Sequence, residues 1–206
     1  TTQIITSFYY YIYYKVFISQ YLKDFIEFFN RSKLLINMKL WYIILEVKAV
    51  KLSVLEYLEE TAKNYPKKIA ISDNNEFITF EELINQSKKI GSFLYENLDK
   101  KRNQPIFVEV QKSLKSIVAF FGVLYSGNFY VPIDGETPLI RIENMINTIE
   151  PICSISITKN NPFVDSNSKV FDFEDIVLND IDEINLKEIR DKSLDIDPCY
   201  LIMTSG

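Results

Sequence analysis

From Leu52 onward the apolar positions fall into runs whose spacing switches between helical and extended periods. Ser53-Val54-Leu55-Glu56 has the form of a capping box, and Leu58, Ala62 and Tyr65 recur on one helical face before Pro66, which predicts an amphipathic helix. Ile69-Ala70-Ile71 and Glu76-Phe77-Ile78-Thr79 read as short strands. The second runs into another capping box, Thr79-Phe80-Glu81-Glu82. Phe80, Leu83, Ile84, Ser87, Ile90, Gly91, Leu94 and Leu98 then follow at three-to-four spacing, so the next helix has a small or apolar inner face suited to packing on a sheet.

An alternation of short extended runs with helical ones comes next, and it decides the fold class. Strands are expected at Ile106–Val110, Phe129–Ile133 and Ile152–Ile157, separated by helices at Leu114–Tyr125 and Pro138–Ile149. Strands joined through helices imply right-handed parallel crossovers, hence an α/β fold: a doubly wound, mostly parallel sheet flanked by helices. Thr137 and Pro138 read as N-cap and first helical residue, and Gly127 as a helix C-cap. Residues 159–198 are more polar and acidic and are expected to hold one short strand and one short helix. Cys199-Tyr200-Leu201-Ile202-Met203 reads as a buried strand leading into Thr204-Ser205-Gly206.

The first residues follow another pattern. Phe8-Tyr9-Tyr10-Tyr11-Ile12-Tyr13-Tyr14 is tyrosine-rich, Lys15 interrupts it, and Val16-Phe17-Ile18 follows. The basic start and small-residue cleavage site of a signal peptide are missing, and tyrosine prefers the membrane interface to its centre. The chain therefore divides into an upstream segment, 1–51, and a partial domain, 52–206. The upstream segment is expected to precede the true start of the protein, at Met38 or later, or to be disordered, rather than to anchor it in a membrane. Both ends of the sequence have the look of truncations.

Composition narrows the function classes. Of 206 residues, 47% are hydrophobic and 25% charged, enough to bury a full core. The net charge of -5 gives no basic footprint, which argues against a nucleic-acid partner. Cys153 and Cys199 lie far apart, without a C-x-x-C pair, and are expected to be reduced thiols in the core of a cytoplasmic protein. No histidine occurs, so neither a Ser-His-Asp set nor a histidine metal site can be built from this sequence.

A strand followed by small hydroxyl and glycine residues is suited to phosphates, because backbone N–H groups in a tight turn converge on an anion and short hydroxyls add donors without bulk. Thr204, Ser205 and Gly206 are the candidates. Gly122-Val123-Leu124-Tyr125-Ser126-Gly127 has the glycine spacing of a Walker loop. However, Asn128-Phe129 follows it, and it lies between a helix and a strand, the reverse of the required order. No G-x-G-x-x-G occurs, which removes the main fingerprint of a dinucleotide-binding oxidoreductase. Asn30-Arg31-Ser32 and Asn85-Gln86-Ser87 match the glycosylation sequon by chance in a chain without a secretion signal. Glu109 and Asp134 stand near strand ends and read as solvated or structural.

Three segments, in order, resemble those of one enzyme superfamily. Phe77-Ile78-Thr79-Phe80-Glu81-Glu82-Leu83 is similar to the "L-T-Y-x-E-L" segment of adenylation domains. Gly122–Asp134 resembles their "L-K-A-G-x-A-Y-V-P-I-D" segment. Asp197–Gly206 resembles the approach to their phosphate loop, "Y-x-x-x-T-S-G-S/T-S/T-G-x-P-K-G". The resemblance covers residues 52–206 and is to the adenylate-forming (AMP-binding) superfamily, with Tyr130-Val131-Pro132-Ile133-Asp134 most similar to its amino-acid-activating members. These are nonribosomal peptide synthetase adenylation domains and D-alanine–carrier protein ligases. Tyr125-Ser126 in place of Lys-Ala, and Gly135-Glu136 after Asp134, depart from the pattern at positions that carry no chemistry in the superfamily.

The resemblance implies an ATP-dependent ligase that uses Mg²⁺. A carboxylic acid or amino acid is activated as acyl-AMP and passed to the phosphopantetheine thiol of a carrier protein. It assigns Thr204, Ser205 and Gly206 to the ATP phosphates and no catalytic or metal residue within these 206, so the chain alone is expected to be inactive. An acyl- or aryl-CoA ligase and a non-catalytic α/β module are the alternatives. The substrate pocket has no counterpart in this stretch.

Overall fold

The computed structural model describes residues 53–73, 76–159, 161–163 and 169–203. The expectations for residues 1–51 and for Thr204, Ser205 and Gly206 lie outside the described residues. The elements are α1 (Val54–Asn64), β1 (Ile69–Ser72), β2 (Phe77–Thr79), α2 (Phe80–Asn97), β3 (Pro105–Val110), α3 (Leu114–Tyr125), β4 (Phe129–Asp134), α4 (Leu139–Ile149), β5 (Cys153–Ser156), β6 (Val170–Asp172), α5 (Phe173–Ile176) and α6 (Glu183–Asp191). β1 and β2 pair antiparallel as a separate hairpin.

The main sheet has the order β4-β3-β5-β6 with every pairing parallel. The chain steps from β3 to β4 on one side, then crosses back over β3 to reach β5. Right-handed crossovers in opposite directions place their helices on opposite faces, and the cores show it. Ile106, Val108, Cys153 and Ile155 join Val118, Ala119 and Val123 of α3 and Ile90 and Leu94 of α2. Phe107, Val131 and Ile133 join Ile142 and Met145 of α4. Alternate residues of β3 thus serve different cores, as the two-residue side-chain period requires. The sheet is doubly wound.

Most elements lie where the periodicity puts them, and the differences have local causes. The capping box at Thr79 forms: Glu82 N donates to Thr79 Oγ1 at 3.3 Å, and Thr79 N donates to Glu82 Oε2 at 2.9 Å. The one at Ser53 does not. Ser53 is the N-cap of α1, but its side chain makes no cap bond and its Oγ instead accepts from Arg190 at 2.9 Å. Pro138, not Thr137, is the N-cap of α4, because its ψ of 138° keeps it extended. Gly127 lies just past α3 with φ +76°, the left-handed region that ends many helices.

The described residues of 159–198 hold one strand, as expected, but two helices rather than one: α5 is a single turn capped by Asp172, and α6 is capped by Asp182. The strand read as Ile152–Ile157 is confined to Cys153–Ser156. Cys199–Met203 is not a buried strand. It makes one parallel bridge, Tyr130 with Tyr200, and is exposed along its length, with Tyr200 at 56% and Ile202 at 62%. It lies outside the β4 edge, where no described element covers its second side. Cys199 is accordingly exposed rather than in the core, whereas Cys153 is buried and its thiol is pushed up to about 12 by that burial.

Candidate active site at the carboxyl end of the sheet

In a doubly wound sheet, the loops after neighbouring strands leave toward opposite faces and open a crevice at the carboxyl ends. Here that end is formed by the residues after β3, β4 and β5. At its centre is Glu109, 1% exposed, on the face of β3 that also carries Phe107. Its Oε2 accepts from Ser156 Oγ at 2.9 Å, Ile157 N at 2.7 Å and Thr158 N at 2.9 Å. Its Oε1 accepts from Thr158 Oγ1 at 2.6 Å and Gln111 Nε2 at 3.2 Å. Burial alone would raise its pKa, but the bonds from Thr158, Ile157 and Ser156 outweigh it and hold the carboxyl below its ordinary value. Glu109 is therefore structural, one of the two readings its position allowed, and both oxygens are occupied.

The neighbouring loop ends fit around it. Gly135, directly after β4, brings its backbone so close that a Cβ there would stand 2.8 Å from Gln111 Nε2 and 3.2 Å from Glu109 Oε1. Asp134, the other strand-end acid, is exposed, and its carboxylate accepts from Glu136 N at 3.0 Å, closing the turn toward α4. Gln111 N donates to Ser116 Oγ at 2.9 Å, tying the end of β3 to the first turn of α3. Ser113, the N-cap of α3, makes no cap bond, and its buried Oγ finds no hydrogen-bond partner among the described residues. Among the described residues no three His, Cys, Asp or Glu side chains gather closely enough to hold a metal ion.

The segment that leads into Thr204, Ser205 and Gly206 lies along the free edge of β4. Tyr130 N donates to the Cys199 carbonyl at 3.2 Å and Leu201 N to the Tyr130 carbonyl at 3.0 Å. Tyr130 is stacked between Phe120, at 4.2 Å, and Tyr200, at 5.8 Å, and burial followed by the neighbouring Cys199 and Tyr200 raises its phenol. Because the pairing is parallel, residues 199–203 advance in the direction of β4, toward its carboxyl end. Asp197 fixes where the segment begins. It accepts from Arg102 at 3.1 Å, Asn103 at 3.2 Å and Leu194 N at 3.0 Å.

A cavity of about 330 Å³ opens at the opposite, amino end of the sheet, between α1, α6 and the turns at Gly127 and Asp197. Leu55, Tyr125, Leu186 and Ile189 line its floor. Its position away from the carboxyl ends separates it from the crevice around Glu109.

Sequence reasoning placed Glu109 correctly as a strand-end residue but missed its partners Gln111, Ser156 and Thr158. The signal available was a lone carboxylate within the apolar run Ile106–Val110, since a charge in a doubly covered strand must have its donors supplied. Where those donors come from was not readable.

Comparison with known proteins gives this geometry a family. The pattern of one family, described as AMP-binding enzyme, matches residues 58–206. The D-alanine–D-alanyl carrier protein ligase of Listeria welshimeri is 31% identical over 160 residues, covering 75% of this chain and 31% of that protein. Two solved structures share the fold. A nonribosomal peptide synthetase, FmoA3, in an α-methyl-L-serine-AMP bound form, superposes with TM-score 0.59 at 19% identity over 72% of this chain and 16% of its own. NpsA-ThdA, an artificially fused adenylation-PCP di-domain from Klebsiella oxytoca, gives TM-score 0.60 at 17% identity over 74% of this chain and 28% of its own. The chain thus spans about a third of the length of the curated D-alanine–D-alanyl carrier protein ligases that it matches.

Proposed function

The chain belongs to the AMP-binding enzyme family, and from that premise we propose that residues 52–206 are the opening part of an adenylation domain in an ATP-dependent acid–thiol ligase. The observation that carries the reading is the placement of Asp197–Met203. The segment is anchored by Arg102, paired in parallel with β4 and directed toward the carboxyl end of the sheet, immediately ahead of Thr204, Ser205 and Gly206 in the sequence.

In this reading, the backbone N–H groups and hydroxyls of Thr204, Ser205 and Gly206 take the phosphates of ATP. The substrate carboxylate attacks the α-phosphorus and the bond to pyrophosphate breaks, leaving an acyl-AMP. A phosphopantetheine thiol of a carrier protein then attacks the acyl carbon, and AMP departs. Mg²⁺ would neutralise phosphate charge, and among the described residues no cluster of carboxylates or thiols gathers to hold it. None of these steps needs a histidine, and the sequence contains none. The names of the relatives support an amino acid as the substrate and a carrier protein as the acceptor. A cytoplasmic location fits ATP as co-substrate, and among the described residues no helix is long and apolar enough to cross a membrane.

The test is ATP–pyrophosphate exchange, with D-alanine and a panel of amino acids, by the protein that the uninterrupted reading frame around these residues encodes. Exchange with one amino acid, followed by thioester formation on a carrier, is expected. Exchange with no carboxylate overturns the reading, and a thioester formed on coenzyme A but not on a carrier overturns its acceptor.

A further inference from the structure

We propose that Glu109 is a positioning residue for this site, holding the loops after β4 and β5 in place at the carboxyl end of the sheet, toward which Asp197–Met203 leads. The inference rests on the adenylation reading for what is positioned, but not for the clamp itself. β3 is the central strand of the winding, and its neighbours β4 and β5 end beside it in the same crevice. Pairing with β3 fixes each neighbour only as far as Val110–Asp134 and Val108–Ile155, and β6 holds β5 one residue further, at Ser156–Asp172. Beyond those residues the backbone needs another hold. Glu109 supplies it to the β5 side by accepting from Ser156, Ile157 and Thr158. On the β4 side it acts through contact, because its Oε1 and the Gln111 amide that it holds fill the space beside Gly135.

The chemistry of the residue suits that task and no other in the reaction. All five donors are neutral, both oxygens are engaged, and the side chain is shut off from solvent. It has no free lone-pair direction for a metal or substrate and no route for a proton. A hydrophobic residue would fit the same slot by the period of β3, since Phe107 occupies the preceding position on that face. The slot instead carries a carboxylate whose oxygens collect donors from residues 47, 48 and 49 positions downstream.

Glu109→Gln keeps the volume and turns one acceptor into a donor that faces donors; Glu109→Leu removes both acceptors. Hydrogen exchange on the 206-residue chain reads the clamp. In either variant the amides of Ile157 and Thr158 should exchange about tenfold faster or more while those of α2 keep their wild-type rates. In the protein used for pyrophosphate exchange, kcat/KM for ATP should fall about 10- to 100-fold, the scale of a small displacement of aligned groups, with the KM for the acid little changed. Unchanged exchange at Ile157 and Thr158, a uniform rise across the whole chain, or full kcat/KM in a folded variant each overturns the inference. If the wild-type protein activates no carboxylate, the adenylation reading fails by itself, and the local exchange result still decides whether the clamp exists.

Discussion

At the carboxyl end of the sheet, Glu109 is almost closed off from solvent and accepts only from neutral donors. At the amino end, Asp197 is half-buried between the Arg102 guanidinium, the Asn103 amide and Leu194 N. Both carboxylates tie a loop to the end of a strand, but they draw on different physics. A neutral-donor clamp depends on geometry and exclusion of water, so it tolerates little change and ignores salt. A partly exposed ion pair gains less, because water and salt screen it, and it can be weakened in small steps. The rigid device stands where we place the chemistry, and the softer one anchors the segment that leads there.

The largest expected effect follows from deleting the rigid clamp. Glu109→Ala leaves Ile157 N, Thr158 N and the Thr158 hydroxyl without their acceptor in a buried site, while Ser156 Oγ keeps the Thr158 carbonyl, and it opens a void, so unfolding free energy should fall by about 3 kcal/mol. Urea titration of the 206-residue chain measures it, and a loss under about 1 kcal/mol would erase the contrast with Asp197.

Asp197→Ala should cost less, about 1–2 kcal/mol, because the carboxylate is only partly withdrawn from water. Its loss should also shrink in 1 M NaCl, where the Debye length is about 3 Å, while the loss from Glu109→Ala should not. Equal salt dependence would mean that the two ends are held by the same kind of force. Acid gives a third comparison. The pKa of folded Glu109 lies below its ordinary value, so its contribution is fully present above the ordinary glutamate range and is lost as pH falls through the lowered value. The stability gap between wild type and Glu109→Gln should therefore be widest near neutral pH and close in acid. A gap that widens on acidification would contradict the sign of the shift.

The legible and illegible parts of the molecule divide along the same line, between contacts set by neighbours in sequence and contacts set by the fold. The Thr79 capping box formed because both of its partners lie within four residues. The one at Ser53 did not form, and its hydroxyl instead accepts from Arg190, 137 residues away. The doubly wound sheet was readable because burial on two faces forces continuous apolar runs such as Ile106–Val108 and Val131–Ile133. The same rule misled at Cys199–Met203. An apolar run reports that a segment can be covered, and here its outer side is open among the described residues. At the site, the position of Glu109 was readable but its donors were not, since Thr158 is brought to it by the β3–β5 pairing. Thr204, Ser205 and Gly206 rest on the sequence alone.

The smallest effect would show how far the clamp extends toward β4. Gly135 has no unusual backbone angle, so alanine is disfavoured there only by space, and the nearest atom to a new Cβ is the movable end of Gln111. Gln111 should swing away and give up its 3.2 Å bond to Glu109, the longest of the five, while Ser156, Ile157 and Thr158 keep theirs. The stability loss in Gly135→Ala should then stay at or under about 1 kcal/mol, the net worth of one such bond. Hydrogen exchange should quicken around Gly135 but not at Ile157 or Thr158. If instead Ile157 and Thr158 open as they do in Glu109→Gln, the two loops are one unit held from both sides, and the carboxyl end of the sheet is less divisible than the separate bonds suggest.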